Sequence, residues 1–291
     1  MTVIKFKQVD VFTTKPFKGN PVAVIMDGKD LSDRQMLAIA SWTNLSETTF
    51  VLPAENKCAD YRVRIFTPAG ELPFAGHPTI GTAFALLEAG VISPVNGELI
   101  QECAAGLIPL RVAASASAAI SIAFRLPQPS ITPLTEAEVQ CLDAILGCPV
   151  ERSQSPVVVD VGARWIVIKT TDAEAVIRTR PDFTRLAQHD KSMKVTGVCI
   201  YGEHPGADVM HIEVRSFAPS CGVNEDPVCG SGNGSVAAFL QYYGNLPATG
   251  KIESSQGQVV GRDGKLELSI CDEAIFVGGY ATTRIAGDIN C

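Results

Sequence analysis

Three groups of residues in this 291-residue chain have types and spacings suited to chemistry. Glu47 opens an otherwise apolar run, Thr48-Thr-Phe-Val-Leu52, so its carboxylate begins a strand that prefers a core. Partial desolvation there raises a carboxylate pKa toward the range useful for general acid/base catalysis. The same residue also reads as an ordinary exposed strand-end glutamate. The other two groups are Gly-rich, Ala75-Gly-His-Pro-Thr-Ile-Gly81 and Cys229-Gly-Ser-Gly-Asn-Gly234, each leading into an apolar helical segment. Unpaired N–H groups and the positive dipole end make such helix starts anion sites. Gly76 and Gly230 would present backbone N–H groups, and a small carboxylate suits a pair of them. Either loop alone fits equally well as glycines that only permit close helix packing. His77 is placed to cap its own helix, and Asp226, before Pro227, is a common turn former. Gly230-x-Gly232-x-Gly234 is not the dinucleotide pattern and there is no Walker Gly-Lys-Ser/Thr, so nucleotide binding is a poor fit.

These residues need elements to hold them. Val9–Phe12 and Pro21–Ile25 read as strands joined by a Pro16/Gly19 turn, and Glu47–Leu52 and Tyr61–Phe66 as two more. Leu31–Asn44 reads as a helix, opened by a Ser32/Gln35 capping box, with Met36, Ile39, Ala40 and Thr43 on one face. A short helix follows His77-Pro78 and stops at Gly90. Arg125-Leu-Pro-Gln-Pro-Ser-Ile-Thr-Pro133 reads as a linker. A second capping box, Thr135/Glu138, opens a helix that closes at Gly147, and strands resume at Val157–Val161 and Trp165–Ile168.

The second half echoes the first. Phe66-Thr-Pro68 recurs as Phe217-Ala-Pro219, 151 residues later, and Pro73-Phe-Ala-Gly76 as Pro227-Val-Cys-Gly230, 154 later. Ala83 and Leu86 match Ala237 and Leu240 at that second spacing, and Glu102-Cys-Ala-Ala-Gly106 matches Glu253-Ser-Ser-Gln-Gly257 at 151. Ordered matches at a nearly constant offset favour duplication over chance. The expected domains are residues 1–126 and 127–291, with the last strand packing back on the first domain.

Composition narrows the functional classes. A net charge of −7 without any Lys/Arg cluster argues against a nucleic-acid or anionic-membrane partner. The uncharged run between Arg111 and Arg125 is shorter than the roughly 20 residues that span a bilayer, and the Pro227–Gly250 run is broken by glycines and prolines. The N-terminus lacks the apolar core of a signal peptide. Nine cysteines, an odd number with no C-x-x-C pair, fit reduced cytosolic thiols better than a disulfide framework. Only four histidines are present, His204-x6-His211 being the closest pair, so no metal site is expected.

Phe66-Thr-Pro-Ala-Gly-Glu-Leu-Pro-Phe-Ala-Gly-His-Pro-Thr79, Gly19-Asn-Pro-Val-Ala23, Ser46-Glu-Thr-Thr-Phe50 and Glu225-Asp-Pro-Val-Cys-Gly-Ser231 together resemble the phenazine-biosynthesis (PhzF-like) isomerase family, from Val9 to about Ala286. The resemblance implies an α+β, diaminopimelate epimerase-like fold: two pseudo-symmetric domains, each a β-barrel-like sheet around a central helix. It also implies an active site between the domains and no cofactor. Glu47 matches the family's general acid/base and His77 the histidine beside it. Asp226 and Ser231 match polar residues of the second domain, and Asn20, Gly76 and Gly230 match cleft-lining positions. The epimerases of this fold use one cysteine per domain. Here Cys229 stands at the second position but Ala75 at the first, which fits a one-base isomerase. The expected protein is a cytoplasmic homodimer. It would move a proton between carbons of a small carboxylate or amino acid, cyclic unsaturated ones included, through Glu47, His77 and Asp226. Two alternatives stay open: an epimerase or dehydratase pairing Cys229 with Glu47, and a non-catalytic binding protein on the same scaffold.

Overall fold

The computed structural model describes residues 2–114, 119–148, 150–206 and 209–291. They form two compact units, Met1–Arg125 with Gly278–Cys291, and Leu126–Val277.

The first unit contains strands β1 (Val3–Val11), β2 (Asn20–Ile25), β3 (Thr48–Leu52), β4 (Tyr61–Thr67), β5 (Gly70–Leu72), β6 (Glu98–Cys103), β7 (Gly106–Ala114) and β8 (Ile120–Arg125), with helices α1 (Asp33–Thr43) and α2 (Gly76–Glu88). Pairing runs β1–β2–β3–β4–β6–β7–β8, with β2–β3 and β4–β6 parallel. The last strand of the chain, Ala274–Asn290, pairs with both β8 and β1 and closes an eight-stranded barrel. Helix α2 fills it, buried from Gly76 to Leu86 and packed on β1, β2, β3 and β8. A helix apolar on all sides suits only such an interior. Helix α1 packs on β3 and β4, with Met36 and Ala40 in a cluster with Ile25, Phe50 and Phe66. Its capping box is formed, and Asn44 ends it in the left-handed region.

The second unit contains β9 (Ser130–Pro133), α3 (Glu136–Leu146), β10 (Val157–Asp160), β11 (Arg164–Lys169), α4 (Ala173–Arg178), α5 (Phe183–Met193), β12 (Gly197–Glu203), β13 (His211–Ala218), β14 (Val223–Asp226), α6 (Gly230–Tyr242), β15 (Lys251–Gln256) and β16 (Gly264–Cys271), and then the start of β17 (Ala274–Asn290). Its ladder repeats the first. The pairs β10–β11, β12–β13 and β15–β16 are antiparallel, and β11–β12 and β13–β15 are parallel. These correspond to β1–β2, β3–β4, β6–β7, β2–β3 and β4–β6. Helix α6 stands where α2 does, almost wholly buried, against β10, β11, β12 and β16.

Two expectations change. The proposed linker is partly ordered sheet: Leu126 N–H donates to Ile275 O, and β9 pairs with β10. The match of Glu102 with Glu253 slips by two residues, because Tyr61 faces Gln101 across β4–β6 whereas Ile212, its counterpart, faces Ser254 across β13–β15. Gln101 bonds Thr79 of α2 and Ser254 bonds Asn233 of α6, which confirms that register. The uncharged run after Arg111 holds the end of β7 and then β8, with residues 115–118 outside the described set.

Candidate active site

Asn20, Glu47 and His77 come together in the first unit. Asn20 begins β2, Glu47 immediately precedes β3, and His77 is the second residue of α2. The parallel β2–β3 pairing sets Ala23 beside Thr48, and Ala23 N–H donates to Glu47 O at 3.4 Å. Glu47 is thereby turned toward the helix start. His77 Nε2 lies 3.3 Å from Glu47 Oε2, and Asn20 Nδ2 lies 3.4 Å from His77 Nδ1. The His77 side chain is 6% exposed and that of Glu47 16%, so Glu47 is not an exposed strand-end residue. Burial raises its carboxyl pKa above the ordinary value, opposed by a weaker influence of the neighbouring Ser46 side chain. A carboxyl that holds its proton to higher pH is better matched to proton transfer near neutrality.

The turn that delivers Asn20 is built by a residue with no motif to mark it. Buried Asp10 accepts the Lys18 and Gly19 N–H groups, each at 3.0 Å. Gly19 is required there, since a Cβ would lie 2.0 Å from Val11 O. At the start of α2, the N-cap Ala75 supplies no side-chain acceptor.

The second unit gathers Asp226, Cys229, Gly230 and Ser231. Asp226 ends β14 and its Oδ1 accepts the Val228 N–H at 3.1 Å, a local turn bond. Cys229 is the N-cap of α6, its Sγ accepting the Gly232 N–H at 3.3 Å. A Cβ on Gly232 would press on Ser216 Oγ at 2.5 Å and Cys199 Sγ at 2.7 Å, so only glycine lets the helix start seat there. Burial holds the Cys229 thiol well above its ordinary pKa, and the nearby Asp226 and Cys199 add to the shift. A thiol in that state is protonated at neutral pH and is a poor base. Ser231 Oγ accepts from Trp165 Nε1 at 3.0 Å and is 3.6 Å from Cys229 Sγ.

A matched ion pair buttresses each repeat. Arg64 makes two bonds to Glu71, at 2.8 and 2.6 Å, and its guanidinium lies 5.1 Å from the Phe66 ring centre. Arg215 makes the same two bonds to Glu225, at 3.0 and 2.8 Å, and lies 4.8 Å from Phe217. Arg215 also donates to Val176 O and Thr179 O. Glu225 of the second pair immediately precedes Asp226 in the chain, so the pair ties β14 to β13 beside it. Arg-x-Phe in both repeats, at the same 151-residue spacing, is the sequence signal for it.

The family model for phenazine biosynthesis-like proteins (PhzC-PhzF) matches residues 9–287. The chain belongs to the phenazine biosynthesis-like family. Antisense-enhancing sequence 1 of Schizosaccharomyces pombe is 43% identical and covers 99% of both chains. The trans-2,3-dihydro-3-hydroxyanthranilate isomerase of Pseudomonas chlororaphis is 35% identical over 87% of this chain and 86% of that one. The crystal structure of a Bacillus anthracis phenazine biosynthesis protein of the PhzF family covers both chains completely, with a TM-score of 0.86 at 24% identity. The fold is the α+β, diaminopimelate epimerase-like one, and this PhzF-like protein is an isomerase.

Within the PhzF-like chain, the residues with no sequence signal are those that brace the others: Asp10, Trp165 and Gln256. The remaining cysteines are free, and Cys199 is buried against Ser216 at 3.3 Å. Among the described residues, no group of three or more His, Cys, Asp or Glu side chains is arranged to hold a metal ion, and no helix is long and apolar enough to cross a membrane. A cavity of about 800 Å³ in the second unit is lined by His204 and His211 and by none of the candidate residues.

Proposed function

We propose that this PhzF-like isomerase moves a proton between two carbons of a small, unsaturated ring carboxylate, with Glu47 as the general acid/base. The carboxylate takes a proton from a carbon activated by the adjoining double bonds. The electron pair shifts through the conjugated system, and the new carboxylic acid returns the proton to a second carbon. Atoms and electrons balance within the substrate, so the step needs no cofactor. The observation that carries the reading is the buried Glu47 Oε2, 3.3 Å from His77 Nε2, in a carboxyl whose pKa burial has raised.

His77 orients the carboxyl or relays its proton. Asp226 and Ser231 contact the substrate, and the Gly76 and Gly230 amides hold its charge or the enolate-like charge that develops. The protonated state of the Cys229 thiol favours this one-base scheme over an epimerase that pairs Cys229 with Glu47. The 35% identity with a trans-2,3-dihydro-3-hydroxyanthranilate isomerase supports a ring amino acid as the substrate class. A reduced cytoplasmic setting, suggested by nine free cysteines, and a homodimeric state complete the proposal.

The test is a deuterium-exchange screen of unsaturated ring carboxylates and cyclic amino acids in heavy water, followed by NMR. Trans-2,3-dihydro-3-hydroxyanthranilate is the first probe. Enzyme-dependent isomerisation or exchange at carbon supports the reading, and a panel showing neither contradicts it.

A further inference from the structure

Gln256 ends β15 with its side chain buried, and its amide makes three hydrogen bonds to the loop and helix start that carry Asp226 and Cys229. Its Oε1 accepts the Cys229 N–H at 3.1 Å and Asn233 Nδ2 at 2.8 Å, and its Nε2 donates to Asp226 O at 2.8 Å. Asn233 Nδ2 also donates to Cys229 O at 2.9 Å, which ties the same pair of residues a second time. Two N–H donors on one end and a carbonyl on the other fix the orientation of the Gln256 amide. The next residue, Gly257, adopts φ +102°, and a Cβ there would lie 2.5 Å from Pro227 O. The end of β15 therefore seats directly against the Asp226–Cys229 loop.

The first repeat ties its strand end to the loop before α2 differently, by a backbone bond from Ala105 N–H to Pro73 O at 3.1 Å and not by a side chain. In the register that matches Gln101 with Ser254, the counterpart of Gln256 is Cys103, which donates within its own hairpin to Gly106 O. A single backbone bond therefore suffices to hold the fold at this point. Among the described residues, the three-bond side-chain brace belongs to the repeat that carries Asp226 and Cys229.

We infer that Gln256 is a positioning residue for the proposed reaction: without touching substrate, it sets the Asp226 backbone and the Cys229 N-cap through three hydrogen bonds. The inference rests on the reading of Glu47 and Asp226 given above. It is tested by Gln256→Glu and Gln256→Met, with Glu47→Gln as control, using NMR of isomerisation of, and exchange into, trans-2,3-dihydro-3-hydroxyanthranilate between pH 5 and pH 8.

In Gln256→Glu, the ionised carboxylate keeps the acceptor but turns a lone pair toward Asp226 O; the protonated acid restores the donor. Turnover by this variant, relative to wild type, should be about 10²-fold down at pH 8, the cost of a small misplacement, and should recover at least tenfold toward pH 5. Gln256→Met should be low throughout, with kcat falling more than KM rises. A merely structural glutamine would lower the melting temperature of both variants without this pH-dependent recovery. Loss of exchange in Glu47→Gln, with both Gln256 variants at wild-type kcat or with a ratio flat across pH, overturns the positioning role alone. Full turnover by Glu47→Gln, or neither isomerisation nor exchange by wild type, overturns the proposed reaction and this inference with it. Should Gln256→Met fail to fold, the pH series of Gln256→Glu decides by itself.

Discussion

His77 Nε2 and Glu47 Oε2 face each other at 3.3 Å, both atoms buried, the one at a helix start and the other at a strand start. Burial disfavours the charged carboxylate, so Glu47 keeps its proton to a higher pH than an exposed glutamate with the ordinary value of 4.5. The base form is therefore lost at higher pH as the solution is acidified. The acid limb of kcat/KM should lie above pH 4.5, and it should disappear in Glu47→Gln. A pH–rate profile on any substrate from the exchange screen checks this.

Cys229 is a buried N-cap thiol, and its reading as a second base makes a contrary prediction. Cys229→Ser keeps the size and the acceptor for the Gly232 N–H, so the one-base scheme expects most activity to survive. Loss of a true general base would remove about 10²–10⁴ of the rate. Steady-state kinetics of the folded variant separate the two.

The two Arg–Glu pairs share a geometry but not an environment. Arg215 and Glu225 are 3% and 6% exposed, whereas Arg64 and Glu71 are 21% and 35% exposed. Removing one partner of a buried pair strands a charge and costs roughly 3–5 kcal/mol, while an exposed pair contributes about 0–1 kcal/mol. Arg215→Met should therefore lower the urea midpoint far more than Arg64→Met.

How much of this was legible in the sequence depended on how local the signal was. Both capping boxes formed as read, with Asn44 and Gly147 in the left-handed region. Helices α4 and α5 gave no comparable pattern, α5 being crowded with Arg185, His189, Asp190 and Lys191. Strand β1 begins at Val3, earlier than expected, because Lys5 and Lys7 break the apolar signal while β17 and β2 pair with it. The repeat was visible, but cheap matches of small residues displaced one strand by two positions. The nearness of Glu47 and His77 is set by strand register across 30 residues, which no local pattern reports; family resemblance supplied it. Gln256 and Trp165 act through hydrogen bonds to residues distant in the chain, so neither left a local trace.

Asp190 gives a stability test away from the site. It is fully buried near the end of α5, its carboxylate oxygens have no hydrogen-bond partner among the described residues, and His189 Nδ1 is 3.7 Å away. Burial raises its pKa above the ordinary 3.8. The folded state thus binds this proton more tightly than the unfolded chain. Its contribution is full below the unfolded pKa and is lost as pH rises through the folded one. Asp190→Asn should therefore raise the melting temperature at pH 7, by an amount on the order of 1 kcal/mol in stability, and change little at pH 3. Thermal unfolding at the two pH values checks the sign.

Glu47→Gln tests the central claim most directly, because the amide keeps shape and hydrogen bonding but cannot exchange a proton at neutral pH. On a substrate identified by the exchange screen, kcat should fall by about 10²–10⁴, roughly 3–5 kcal/mol of transition-state stabilisation, while substrate binding survives. Wild-type kcat in the folded Gln variant would contradict the account and return Glu47 to a structural role at the head of β3.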